Sequence, residues 1–148
     1  MFLVDTSIIS AVAPNKKQRN RPLEDWFERA SEWVHLSVVT SAEIRSGIAK
    51  AEREGATSKA ASLRDWWHTV EHLYGRRFLP FDLSAAAVAG AMLDRARAHD
   101  VGFEDIAIAA TAEVNGLTVL TDNERHFRPL GIAVINPLKG LPPVPGQS

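Results

Sequence analysis

Four acidic residues stand far apart in the chain, each where an apolar run gives way to a helix or a loop. Asp5 follows Phe2-Leu3-Val4, and Glu43 follows Val38-Val39-Thr40. Asp105 opens Ile106-Ala107-Ile108-Ala109-Ala110, and Asp122 follows Val119-Leu120-Thr121. In open α/β folds, ligands bind along the edge formed by the C-terminal ends of parallel strands. Carboxylates gathered there repel one another unless a cation neutralises them. The pattern points to a hard divalent cation held by oxygen, and to metal-assisted hydrolysis. The hydroxyl of Thr6 or Ser7 would add a hydrogen bond to such a shell. Each acid also has a plainer role. Asp5 could cap a helix, and Thr40-Ser41-Ala42-Glu43 reads as a capping box. Glu104 and Asp105 fall in a first helical turn, where the macrodipole favours negative charge. Thr121-Asp122-Asn123-Glu124 also resembles a cap. These readings lose weight jointly, because Asp5, Asp105 and Asp122 all fall near strand ends or helix starts on one edge.

The elements that would position these acids follow from the hydrophobic pattern. Residues 2–5 suit a buried central strand. Thr6-Ser7 is the cap of a first helix carrying Ile8, Ile9 and Val12, which Pro14 ends. Pro22 fits the first turn of a second helix, with Leu23, Trp26, Phe27 and Ala30 at helical spacing. Val34 to Val39 reads as a strand. Thr40 begins a helix with Ile44, Ile48 and Ala51 on one face, broken at Gly55. Ser58 to Tyr74 is helical, Phe78 to Phe81 extended, and Asp82 or Ser84 caps a helix over Ala85 to His99. Glu104 to Asn115 is an apolar helix with Gly116 as its stop. Leu117–Leu120 and Ile132–Ile135 read as strands. Strands alternating with helices give a single α/β domain with a mainly parallel central sheet flanked by helices.

Composition bounds the alternatives. The 148 residues suit one domain, with 45% hydrophobic and 24% charged residues and a formal net charge of -1. No global basic field marks a nucleic-acid binder, so such binding must use a local patch. The absence of cysteine excludes disulfides, thiolate metal sites and cysteine nucleophiles. The N-terminus lacks the pattern of a signal peptide, and no apolar run approaches the roughly 20 residues of a membrane span. The expectation is a cytoplasmic protein.

Other candidates are weaker. His68 and His72 have the spacing of zinc ligands on a helix, but Thr69 stands where a zinc protease needs Glu. An exposed helix face is the simpler reading. Lys16, Lys17, Arg19 and Arg21 form a basic run, which is either a solvated loop or a phosphate contact. Arg45 points to a different side of its helix from Glu43. Trp26, Trp33, Trp66 and Trp67 could stack on bases, with core packing expected for Trp26 and Trp66. Adjacent Trp66 and Trp67 cannot face the same way, and the one left partly exposed is a candidate for a partner interface.

Five segments in order carry a family resemblance: Leu3-Val4-Asp5-Thr6-Ser7-Ile8-Ile9-Ser10, Ser41-Ala42-Glu43-Ile44-Arg45-Ser46-Gly47, Asp105 through Ala112, Leu120-Thr121-Asp122-Asn123 with Phe127, and Gly131 through Ile135-Asn136-Pro137. With them the chain resembles the PIN-domain ribonucleases, specifically the VapC-type toxins of toxin–antitoxin pairs, over Met1 to Pro137. The resemblance implies a PIN-like α/β fold over residues 1–137; the proline- and glycine-rich composition of the tail, 138–148, reads as extended or disordered. The resemblance also implies a Mg2+-dependent endoribonuclease, with Mn2+ able to substitute. Asp5 and Asp105 would be the direct metal ligands, and Glu43 would hold or activate water. The fourth position falls on Asp122 or Asn123. The family often carries Asp directly before the Phe; here that residue is His126. A VapB-like antitoxin, an RNA substrate and a homodimer are implied as partners. The alternatives are a non-catalytic binding module on the same scaffold and a haloacid-dehalogenase-like phosphatase. The latter expects a second Asp where this chain has Ser7.

Overall fold

Phe2 and Val4 join one hydrophobic cluster and Leu3 joins another, and all three are buried. A strand covered on both faces is what an interior position in a parallel sheet demands. The computed structural model describes residues 1–146 and has five strands: β1 (Phe2–Val4), β2 (Val34–Ser37), β3 (Phe78–Leu79), β4 (Thr118–Leu120) and β5 (Val134–Ile135). Their order is β3-β2-β1-β4-β5, and every pairing is parallel. The chain builds outward from β1 to β3, then returns to lay β4 against β1. That reversal makes the gap between the ends of β1 and β4 the topological switch point, where a crevice opens.

Among the described residues seven α-helices cover the sheet: α1 (Thr6–Ser10), α2 (Arg21–Ala30), α3 (Val38–Arg53), α4 (Thr57–Tyr74), α5 (Leu83–Arg95), α6 (Phe103–Asn115) and α7 (Glu124–Phe127). Helices α1 to α4 pack Ile8, Trp26, Ile48 and Trp67 against Phe2, Val4 and Leu36. Helices α5 and α6 pack Met92, Ile106 and Ile108 against Leu3 and Val119 on the other face. Val119 and Leu120 divide between the two cores as Leu3 and Val4 do, following the two-residue period of a strand.

Several expected boundaries move. Asp5, in place of Thr6-Ser7, caps α1: it is extended and its carboxylate accepts from the Thr6 N–H. Helix α1 also stops at Ser10, and the chain tightens through i to i−3 bonds at Ala11, Val12 and Ala13 before Pro14. Strand β2 ends at Ser37, whose hydroxyl accepts from Val39 N at 3.0 Å and starts α3 two residues before Thr40. The capping box therefore does not form, and Thr40 and Glu43 lie inside the helix. Helix α5 runs from Leu83 to Arg95, not Ala85 to His99, with Asp82 as its cap. Gly116 ends α6 at φ 64°, a left-handed conformation that favours glycine. Of the tryptophans, Trp26 and Trp67 are the buried pair, and Trp66 is partly exposed. After Pro137 the chain turns through Leu138 and Lys139 and then docks on the domain: Trp26 Nε1 donates to the Pro142 carbonyl at 2.7 Å, and Val144 is buried. The end of the tail, Gln147 and Ser148, lies outside the described residues. No helix among the described residues is long and apolar enough to cross a membrane.

Candidate active site

Asp5 leaves the end of β1 at the switch point, where its backbone N–H donates to the Leu120 carbonyl of β4 at 2.9 Å. Its side chain is 3% exposed. Oδ1 accepts from Thr6 N at 2.8 Å, and Oδ2 accepts from Ser7 Oγ at 3.1 Å and Thr121 Oγ1 at 2.7 Å. Burial pushes the Asp5 carboxyl up to about 6. The Thr121 hydroxyl pulls it back, while the negative charge of Asp105 adds to the rise.

Glu43 sits half-buried on α3, and its Oε1 accepts from Thr6 Oγ1 at 2.7 Å. The Thr6 hydroxyl also lies 3.0 Å from Thr40 Oγ1. A hydroxyl has one hydrogen, so buried Thr40 donates to Thr6 and Thr6 donates onward to Glu43. Burial raises the Glu43 carboxyl above its ordinary range, and Glu104 and Asp105 push the same way. Asp105, in the first turn of α6, is raised by burial, and His126 works against the rise. Its Oδ2 lies 3.1 Å from His126 Nδ1. Three carboxylates from β1, α3 and α6 thus stand in one electrostatic neighbourhood. Among the described residues no lysine or arginine pairs with any of them.

The carboxylates offer oxygen donors, which suit a hard divalent cation. Among the described residues no three His, Cys, Asp or Glu side chains close into a ready-made metal cage. Zinc in structural sites needs such a cage. Magnesium takes one or two carboxylates and fills its remaining positions with water. Three carboxyls raised by burial, with like charges nearby and no lysine or arginine paired to them among the described residues, leave negative charge that a hard cation would offset.

The structure brings together Asp5, Thr6, Ser7, Glu43 and Asp105. Asp122 does not join them. It is exposed in the turn after β4, its backbone N–H lies 3.5 Å from Ser7 Oγ, and its carboxylate makes no hydrogen bond or ion pair among the described residues. Asn123 uses its backbone N–H, which donates to Thr121 Oγ1 at 3.0 Å. The residues this segment sends to the acids are Thr121 and His126. Thr121 follows β4 as Asp5 follows β1, a parallel visible in the sequence as a polar residue after an apolar run. Thr40 and Glu104 also belong to the neighbourhood. His68 and His72 are exposed on α4. Arg45 is taken up by Glu71 of α4, and Arg19 by Glu24. A cleft of about 460 Å³ opens beside Glu43, lined by Thr6, Glu43, Lys16, Lys50, Lys59 and Trp66 among others.

A parallel sheet in this order, with acids converging at the β1 switch point, defines an α/β domain of the PIN type. The chain belongs to the PIN-domain family, whose profile matches residues 2–131. It is 35% identical to the plasmid stability protein StbB of Pseudomonas syringae pv. tomato, covering 93% of this chain and 98% of that protein. Identity to toxin FitB of Neisseria gonorrhoeae is 32%, with the same coverage. Identity to the VapC ribonuclease Y4jK of Sinorhizobium fredii is 32%, over 93% of this chain and 97% of that one. The crystal structure of FitAcB from Neisseria gonorrhoeae matches with a TM-score of 0.81 at 32% identity, covering 93% of this chain and 99% of that one. VapBC-5 from Mycobacterium tuberculosis, a member of the VapBC family of toxin–antitoxin systems, matches at 0.63 and 26% identity, covering 90% and 94%.

Proposed function

We propose that this chain is the toxin of a toxin–antitoxin pair and acts as a divalent-metal-dependent endoribonuclease. The observation that carries the reading is the convergence of Asp5, Glu43 and Asp105 at the switch point, with no lysine or arginine paired to them among the described residues. Asp5 and Asp105 would hold Mg2+, or Mn2+ in its place. When bound, such a cation lowers the pKa of water and offsets charge developing on the phosphate.

The chain's own residues do the rest. Thr6 and Thr40 fix Glu43 through one hydroxyl relay, and Thr121 and Ser7 fix Asp5. The Glu43 Oε2 atom, which makes no hydrogen bond among the described residues, accepts the proton of the attacking water. Its raised pKa moves it toward the working pH of a general base. Lys16, Lys50 and Lys59 in the adjacent cleft supply phosphate contacts beside Glu43. Relatives named as a toxin and a VapC ribonuclease, and solved relatives from toxin–antitoxin systems, support RNA as substrate and an antitoxin as partner. A homodimer belongs to the same reading, with exposed Leu83 and Phe103 as available apolar surface.

The test is cleavage of labelled total RNA by the purified chain, freed of antitoxin, with Mg2+, with Mn2+ and with chelator, beside the Asp5→Asn variant. Discrete fragments that need metal and vanish in the variant are the expected result. Folded protein that cleaves with neither metal would sink the nuclease reading and leave a binding module.

A further inference from the structure

Asp105 differs from the other two acids in its partner. Asp5 and Glu43 receive hydrogen bonds only from hydroxyls and one backbone N–H, whereas Asp105 Oδ2 faces the imidazole Nδ1 of His126 at 3.1 Å. His126 lies on the one-turn helix α7, which is anchored from two directions. Phe127 beside it is fully buried in the α5–α6 core, and the His126 backbone N–H donates to the Asn123 carbonyl at 2.9 Å. The imidazole is therefore delivered to Asp105 by a fixed turn. An ionised carboxylate only accepts, so Nδ1 carries the hydrogen of this bond.

We infer that His126 is a positioning residue for the metal site: its Nδ1–H holds Asp105 Oδ2 and fixes the orientation of the carboxylate that, with Asp5, would hold the cation. This rests on the reading of Asp5 and Asp105 as the metal-holding pair. Partners that orient a liganding carboxylate or imidazole set metal affinity in this way. Direct ligation by the imidazole fits the geometry less well. The nitrogen that faces Asp105 is Nδ1, which is committed to Oδ2, and a hard cation prefers oxygen.

Donor and ligand roles part company in a small set of full-length variants. Asparagine places an N–H donor near the position of Nδ1, aspartate offers only acceptors there, and alanine offers neither. Mn2+ binding is read from the loss of the free-ion electron paramagnetic resonance signal, and Mg2+ binding by its competition with Mn2+. Circular dichroism melting in chelator confirms that each variant is folded. Both His126→Ala and His126→Asp are expected to weaken Mn2+ and Mg2+ binding by about 10- to 100-fold. His126→Asn should recover most of that loss. Tighter Mg2+ binding by His126→Asp than by wild type would overturn the inference and make residue 126 a direct ligand. A folded His126→Asn as weak as His126→Ala would overturn it too, by showing that the donor is irrelevant. Wild-type protein with no saturable Mn2+ binding, or binding indifferent to Asp105→Asn, would overturn the metal-pair reading itself and the inference with it.

Discussion

Helix α3 meets carboxylates on two sides, under opposite conditions. On one side its own Glu43 enters the neighbourhood of Asp5 and Asp105, where burial and like charge raise its pKa and only a threonine hydroxyl answers it. On the other, Ser41 and Arg45 reach Glu71 of α4. Ser41 Oγ donates to Glu71 Oε2 at 2.6 Å, Arg45 engages both carboxylate oxygens, and Trp67 Nε1 donates to Ser41 Oγ at 3.0 Å. Burial alone would raise Glu71, but Arg45 and Ser41 outweigh it and its pKa falls. Both acids are partly buried, so burial does not separate them. The sign of the neighbours does. A carboxylate supplied with a guanidinium fastens two helices together. A group of carboxylates left without one marks a site whose missing charge comes from outside the chain.

The contrast can be broken or sharpened experimentally. The largest effect should follow Glu43→Gln, which keeps the Thr6 contact and removes the proton acceptor. RNA cleavage should fall by about 10²- to 10⁴-fold with metal binding little changed, measured by single-turnover cleavage beside Mn2+ titration. Cleavage at wild-type rate would remove Glu43 from the chemistry.

The second effect is on stability. In chelator, Asp5 titrates at about 6 in the folded chain against 3.8 as its ordinary value. Between those values the folded protein holds a proton that the unfolded chain releases, so stability falls as pH rises from about 4 to about 6, by up to about 3 kcal/mol. Glu43 and Asp105, also raised, act in the same direction. Mg2+ should restore the loss most strongly above that range. Asp5→Asn should flatten the profile in thermal denaturation, and an unchanged profile would mean that the acids are not electrostatically strained.

Next comes Thr121→Val, which removes the 2.7 Å hydrogen bond to Asp5 Oδ2. A bond to a charged group is worth about 1.5–3 kcal/mol, so metal-free stability at neutral pH should drop by that order and Thr121→Ser should recover it. The smallest effect belongs to the other side of α3. The Arg45 side chain is half exposed, and Arg45→Ala should cost at most about 1 kcal/mol while leaving cleavage unchanged. A large loss of cleavage in that variant would give Arg45 a role at the substrate and erase the contrast.

Much of this arrangement is readable along the chain. The runs before Asp5 and Thr121 announce buried strands, and the apolar run after Asp105 announces a buried helix with its acid in the first turn. Local signals failed where two options of similar local energy competed. Thr40-Ser41-Ala42-Glu43 satisfies the capping-box pattern, yet Ser37 caps α3 and frees Thr40 and Glu43 for contacts with Thr6, 34 and 37 residues away in sequence. Trp66 and Trp67 are adjacent on a helix, and tertiary contacts, with Phe78 against the ring and Ser41 on Nε1, put Trp67 inside. Asp122 carries the charge that its segment advertises, but it turns to solvent. The hydroxyl before it and the imidazole four residues after it are what reach the acids.

The sequence by itself determined the alternation of strands and helices, the parallel sheet, and the separate acids at element ends, because hydrophobic period and end signals are local. It did not determine which polar residues would be neighbours. That was decided when β4 was laid against β1, placing Thr121 on Asp5 across 116 residues, and when α7 docked on α6, placing His126 on Asp105. Contacts between distant segments depend on how the whole core closes. The chemistry of this site lives in those contacts.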